Sequence, residues 1–491
     1  MSEFGTVQAH LGAALRANAP GSREPHVVVS LPSHSMPQRL LAQHAAHLPA
    51  LEHRGLIDGL QVGRTPGARI VVVTSVAPSE AVLDYYAHLA QPDSPSDARR
   101  RVTCLVVPDG SARGIAAKLL DRPDLVEQLR RQVAGGLSVI EPWNVTDAEV
   151  AVALAIGAPV NGGPHELWPL GFKSASRRLF REAGVPVPLG VEDVHDSAEV
   201  AAAVDGMRRT CALLDQVVVK LDNSGAAQGN WVLSTRDDAG QPLTTVGLTS
   251  RIDDVVPAWF LSDLAGGGVV EELVVAPEMT SPSAQAQIGP EGEVVILATH
   301  EQVLGGESGQ AFTGSEFPAD PSYAGALAEH ARAVGTLLAG RGALGWLAVD
   351  FVARRTGDGW ALAAVDLNLR KGGTTHSYGA LQHLVPGSYD PTRSQWVAAA
   401  DGGPRHYRSS DSVGGPRWLG MEPTRAISSL AVAGLAFDHA RGTGVVLHMF
   451  PSLDHDGTIG VIAIGRSATE AQLLYDAVPG ALDPTYTVAT G

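Results

Sequence analysis

The stretch LGWLAVDFVARRTGDGWALAAVDLNLRKGGTTH, residues 344–376, decides the fold. Leu344–Val352 and Ala361–Leu369 each read as a strand, and Gly357–Asp358–Gly359 between them reads as a turn. A hairpin centred on Asp358 sets Asp350 opposite Asp366. Strand side chains alternate, so Asp366 and Asn368 share a face, while Ala363, Val365, Leu367 and Leu369 form the apolar face behind them. Two carboxylates directly opposite one another repel unless a cation lies between them. Hard oxygen ligands without His or Cys suit Mg²⁺, which usually shares its coordination with phosphate oxygens. From this segment alone, a magnesium site and a solvated polar sheet face are both consistent with the pattern.

Arg370 follows Asn368 by two residues, and Lys371–Gly372–Gly373–Thr374–Thr375–His376 comes next. A guanidinium beside metal ligands is suited to a transferred phosphoryl group. The paired glycines admit a ligand close to the backbone. His376 reads either as a base or substrate-orienting group or as an ordinary packed histidine. The chain has four lysines, Lys118, Lys173, Lys220 and Lys371, against thirty-two arginines. A lysine kept against such a bias is a candidate for a specific task, here the binding of nucleotide phosphates. Lys220 ends an apolar strand, Gln216–Leu221, just before the polar loop Asp222–Asn230. That loop reads as a plain hairpin turn or as a phosphate cover. No GxxxxGK[ST] occurs, which excludes a P-loop.

The 491 residues are enough for two to four domains, and 44% hydrophobic with 18% charged residues describes a globular protein. A net charge of −16 argues against broad binding to nucleic acid or anionic lipid. Cys104 and Cys211 make neither a disulfide framework nor a zinc pattern. No apolar run is long enough to span a bilayer and no secretory signal is visible, so the expected location is a reducing cytoplasm.

Val27–Val29, Ile70–Val73, Val102–Val107 and Leu137–Ile140 read as buried parallel strands, with helical patterns at Met36–His47 and Ile115–Val133. This predicts a doubly wound α/β unit. It lacks a GxGxxG, which argues against a nicotinamide-dependent oxidoreductase. Gln285–Ile288 and Val294–Ala298 read as a hairpin, Gly305–Gly314 as a mobile loop, and Leu327, Ala331, Val334 and Leu338 as one face of a helix. After Pro386 a loop-rich stretch leads to a helix (Ile427–His439), two strands (Val445–Phe450 and Ile459–Ile464) and a helix (Ala468–Val478).

The order Lys173, Lys220 with its glycine loop, Glu271 to Glu278, Asp350, then Asp366–Leu367–Asn368–Leu369–Arg370 resembles the ATP-grasp superfamily of carboxylate–amine ligases, from about Lys173 to Gly373. The resemblance implies an ATP-grasp fold of α/β and α+β domains: a pre-ATP-grasp α/β domain over 1–168, a small lid subdomain over 169–265, a large subdomain with the metal and nucleotide site over 266–385, and a small C-terminal α+β domain over 386–491. It implies ATP bound by Lys173, Lys220, Ser224, Gly225, Gly229, Glu271, Glu272, Val274 and Glu278, with Glu271 at the adenine hinge and Glu278 at the ribose. It implies Mg²⁺ on Asp350, Asp366 and Asn368, with Arg370 on the γ-phosphate; His376 remains a candidate base from its position alone. The family more often has Glu where Asp366 stands; Asp is one methylene shorter, which leaves open whether one metal binds or two.

Residues 368–376, Phe312–Thr313–Gly314–Ser315–Glu316–Phe317–Pro318 and Val446–Leu447–His448–Met449 further resemble pheganomycin-type peptide ligases. That narrower likeness implies ATP-dependent joining of an amino acid to a peptide in natural-product biosynthesis, with small-molecule partners and a homodimer as the family expectation. Gln285, Gln287, His300, Ser308 and Thr374 lie near the expected substrate cavity. Competing expectations are a small-molecule carboxylate–amine ligase, a carboxylase or a kinase of the same superfamily, and a non-catalytic nucleotide-binding protein.

Overall fold

The computed structural model describes residues 3–34, 38–225, 229–305 and 311–483. His26–Leu31 (β1), Ala68–Thr74 (β2), Val102–Val106 (β3) and Leu137–Pro142 (β4) form a parallel sheet in the order β3-β2-β1-β4. Successive residues of β1 and β2 serve two different cores. Val28, Ile70 and Val72 pack on one face, and Val27, Val29, Val71 and Val73 on the other. Burial on both faces is why these strands read as unbroken apolar runs. The pattern at Ile115–Val133 is two helices, Ile115–Leu120 and Pro123–Val133, because Pro123 has no N–H to continue the first and is favoured in the opening turn of the second. Chain connectivity reverses between β1 and β4, which leaves a crevice at their carboxyl ends.

Gly190–Val194 (β5), Gln216–Leu221 (β6), Asn230–Ser234 (β7) and Gly268–Glu272 (β8) form an antiparallel sheet in the order β5-β8-β6-β7. The β6–β7 hairpin is as read, with Lys220 opposite Asn230.

The largest sheet contains Met279–Thr280 (β9), Pro282–Ile288 (β10), Val294–Gly305 (β11), Ala311–Phe317 (β12), Gly345–Thr356 (β13), Gly359–Asn368 (β14), Gly387–Asp390 (β15), Gln395–Ala398 (β16), Pro404–Gly414 (β17), Gly444–His448 (β18) and Thr458–Gly465 (β19). Its main path runs β14-β13-β10-β11-β12-β17-β16-β15, with β19 joined to β17 and β18 to β19. The helix Pro321–Gly340 buries Leu327, Ala331, Val334 and Leu338 against this sheet, as its apolar spacing predicts.

Three readings change. The ends of Gly305–Gly314 are strand, in β11 and β12, and 306–310 lie outside the described residues. The stretch after Pro386 is not loop-rich: β15, β16 and β17 occupy it, and β17 pairs with β12, so the C-terminal strands extend the central sheet. The helix placed at Ile427–His439 is Pro423–Val432; Gly434 follows at φ +68°, a left-handed turn that ends a helix at little steric cost.

Candidate active site

Asp350 on β13 does pair with Asp366 on β14, but by a different route from the simple hairpin. The turn is two residues, with Thr356 opposite Gly359 and Gly357 at φ +56°. Regular pairing from that turn reaches Phe351 opposite Ala364, and the register then shifts, so Val365 is the extra residue of a β-bulge. The bulge reverses which positions face the core. Leu362 and Ala364 before it and Leu367 and Leu369 after it pack in the same cluster. Ala363 and Val365, read from strict alternation as part of the apolar face, are not among them. Asp366 thereby emerges on the side away from the core.

Asp350 Oδ1 accepts from Gln302 Nε2 at 2.7 Å, and Asp350 Oδ2 from Asn368 Nδ2 at 3.2 Å. Burial, reinforced by the charge of Asp366, pushes the Asp350 carboxyl up to about 6. Burial acts on Asp366 in the same direction, but Lys173, with Lys220 and Arg370, outweighs it and holds Asp366 below its ordinary value. The two acids titrate as a pair. A half-buried carboxylate pair with an amide side chain beside it, and no sulfur or imidazole, is a donor set that fits Mg²⁺.

Lys173 opens the helix Lys173–Glu182, and its Nζ lies 2.5 Å from Asp366 Oδ1. That helix is capped from outside: Asp222 Oδ1 accepts from Ser174 N at 2.8 Å and from Ser174 Oγ at 2.7 Å. Ser174 is thus the group being capped. Lys220 Nζ is 2.5 Å from Glu271 Oε2 and donates to the Val365 carbonyl at 3.4 Å, on the bulge itself. Glu271 also pairs with Arg177, which is held by Glu192 at 2.7 Å and the Pro188 carbonyl at 2.9 Å. Both carboxylate oxygens of Glu271 are therefore engaged inside the small sheet. Replacing Glu271 with Gln should leave Arg177 and Lys220 short of countercharge at a buried site, costing about 3–5 kcal/mol of stability. Urea unfolding checks this; an unchanged midpoint would show that the pair is dispensable.

The remaining expected residues are placed as follows. Ser224 Oγ bonds the Leu221 carbonyl at 2.9 Å, and a Cβ at Gly229 would come within 2.2 Å of Ser224, so the loop closes tightly only with glycine there. Gly225 has open space around it; residues 226–228 lie outside the described residues. Glu272 accepts from Leu189 N at 2.9 Å. Val274 is half-buried and Glu278 is exposed, joined to the sheet through its carbonyl and Arg355 N. Gln285 is buried and donates to Thr374 at 2.5 Å and Thr375 at 2.9 Å. Gln287 is half-buried on β10. His300 is enclosed among Phe317 and Tyr407, its Nε2 2.6 Å from the Tyr407 hydroxyl, which makes it part of an aromatic core rather than of a cavity wall. Ser308 lies outside the described residues.

One cavity gathers Lys173, Ser224, Asp366, Asn368 and Arg370, with Trp168 and Phe172 as apolar walls. Burial lowers the Arg370 guanidinium, against the pull of Asp366 and Asp350. A second cavity takes Lys371, Thr375 and His376 on one side and Asp58, Glu141 and Trp143 on the other. Sequence reading missed Gln302, Asp222 and this second wall. Only Asp222, beside Lys220, carried a local signal; the others are brought in by sheet pairing and by contact with the parallel sheet.

Two acids, Asp222 and Asp366, and two cations, Lys173 and Arg370, line one cleft beside the small antiparallel sheet. The chain is 33% identical over 420 residues to the L-propargylglycine–L-glutamate ligase of Streptantibioticus cattleyicolor, covering 83% of this chain and 84% of that one. A family model described as the PGM1 C-terminal domain matches residues 425–478. Among solved structures, N5-carboxyaminoimidazole synthetase from Staphylococcus aureus complexed with ADP aligns over 94% of this chain and 99% of its own, with TM-score 0.51 and 12% identity. The biotin carboxylase domain of the 2-oxoglutarate carboxylase of Hydrogenobacter thermophilus, in complex with MgADP and bicarbonate, aligns over 94% and 93%, with TM-score 0.52 and 10% identity. The fold is the ATP-grasp fold, and the chain belongs to the ATP-grasp carboxylate–amine ligases. Among the described residues, no helix is long and apolar enough to cross a membrane.

Proposed function

We propose that the protein joins the carboxylate of one amino acid or peptide to the amine of another, with ATP cleaved to ADP and phosphate, in the assembly of a peptide natural product. The observation that carries this reading is the relative just described, which shares most of its length with this chain and is itself named as a ligase of two amino acids. In this reading ATP lies between segments 169–265 and 266–385. Lys173, Lys220 and Arg370 hold its phosphates as fixed positive charges, which act strongly in a cleft that excludes water. Asp350, Asp366 and Asn368 would hold magnesium, which when bound offsets the phosphate charge. The substrate carboxylate attacks the γ-phosphorus in line to give an acyl phosphate, and the amine then displaces phosphate. Ser224, Gly225 and Gly229 would shield the phosphates, because water would otherwise hydrolyse the intermediate.

The test is ADP and phosphate release over a matrix of amino acids as acids against amino acids and dipeptides as amines. Release that needs both partners, with an amide of the summed mass, supports the reading. A phosphorylated product that accumulates without an amine would instead make the protein a kinase.

A further inference from the structure

Arg370 and Lys371 are adjacent, yet they line different cavities: Arg370 the one with Lys173 and Asp366, Lys371 the one with Asp58, Glu141 and His376. The second cavity lies at the carboxyl ends of β1 and β4, where connectivity reverses, the place where open α/β sheets receive ligands. Lys371 Nζ is 3.6 Å from Asp58 and 3.5 Å from Glu141. Two carboxylates share this one ammonium, and Arg54, on the same wall, is paired with Asp411. Glu141 Oε2 is buried and faces Lys371 Nζ at 3.5 Å, beyond good hydrogen-bond length. That arrangement suits an incoming ammonium group.

His376 stands at the same cavity. Its Nε2 is 2.9 Å from Asp411 Oδ1, and Asp411 Oδ2 is paired with Arg54. Burial opposes ionisation of Asp411, but Arg54 and then His376 overcome it and hold the carboxyl far below its ordinary range. An ionised carboxylate only accepts, so Nε2 carries the proton and Nδ1 keeps its lone pair. His376 Nδ1 is buried with no partner among the described residues. Burial lowers the His376 pKa against the pull of Asp411, which favours the neutral ring with its Nδ1 lone pair open. The charged and titratable groups around it are Asp411, Arg54, Asp58 and His448, and Glu141, Lys371 and His383 line the same cavity. The His448 ring is 4.8 Å away, centre to centre, and a Cβ at position 460 would strike it at 2.2 Å, so Gly460 makes its seat.

We propose that Asp411, braced by Arg54, is a positioning residue that fixes the His376 tautomer, so that Nδ1 takes the proton of a substrate ammonium drawn between Asp58 and Glu141. This rests on the ligase reading. The ammonium gives one proton to Nδ1, and its freed lone pair attacks the acyl carbon. The C–N bond forms, the C–O bond to phosphate breaks with its electron pair, and the departing phosphate takes the second nitrogen proton.

Hydroxylamine tests this, because it is uncharged at neutral pH and captures an acyl phosphate without a base. With the full chain and an acid found in the matrix, His376→Gln keeps a donor to Asp411 but is a far weaker proton acceptor. Amide formation should fall by about 100-fold or more, the usual worth of a general base, while hydroxamate formation falls several-fold at most. Amide formation by this variant should also climb with pH as free amine becomes available. Asp411→Asn should show the same split, and Asp411→Glu should recover part of it. Equal losses with both nucleophiles, or no loss with either, would overturn the proposal. Absence of hydroxamate from the unaltered protein with every acid would overturn the ligase reading instead.

Discussion

Asp366→Ala should lower ADP release by about 1,000-fold or more, and Lys220→Ala by about 100-fold, since phosphoryl transfer depends almost wholly on positioning and charge. The two losses have different origins. Asp366 is opposite Asp350 and 2.5 Å from Lys173, so its removal takes away a metal ligand and also frees Lys173 from its partner. Lys220 shares Glu271 with Arg177, so Lys220→Ala leaves that acid paired and the small sheet intact. Its loss should appear as weaker nucleotide binding in calorimetry, with a melting temperature close to that of the unaltered protein. If product formed at undiminished rate in both variants, the nucleotide site would lie elsewhere.

Acid should destabilise the protein through its buried histidines before its exposed carboxylates protonate. Burial lowers His53 and His383 to about 4 and His300 to about 3. Each is neutral in the fold, whereas the unfolded chain takes up a proton on each near pH 6.5. Folded pKa values below the unfolded ones give stability that is complete above pH 6.5 and is lost as the pH falls towards 4 and then 3. Between pH 6.5 and 5, each ring should cost about 2 kcal/mol, roughly 6 kcal/mol for the three, against about 5–15 kcal/mol for a typical domain. His34, His376 and His448 are shifted in the same direction by burial. Urea midpoints at pH 7, 6 and 5 measure the effect, and a midpoint unchanged over that range would refute it.

What the sequence disclosed, and what it hid, follows from the range of each signal. Runs such as Val27–Val29 and Val217–Val219 announce buried strands because burial is written in consecutive residues. Asp350, Asp366 and Asn368 were found together because a hairpin is a short-range object. β15, β16 and β17 were taken for loops because Pro386, Gly387, Gly402 and Gly403 punctuate a segment whose longest strand, β17, is held by distant β12 and β19. Asp411 and Arg54 are 357 residues apart and meet only once the parallel sheet and the central sheet are in contact. His300 misled because a histidine in a strand carries no mark of the Tyr407 it will meet.

The extra residue at Val365 has a consequence for anyone borrowing this hairpin. A graft that copies its acids onto an evenly pleated ribbon, keeping Leu362 and Ala364 in oil, would drive the carboxylate of Asp366 into oil with them. The irregularity must travel with the ligands, because it lets one ribbon keep its greasy side inward along its whole length while changing which residues look out.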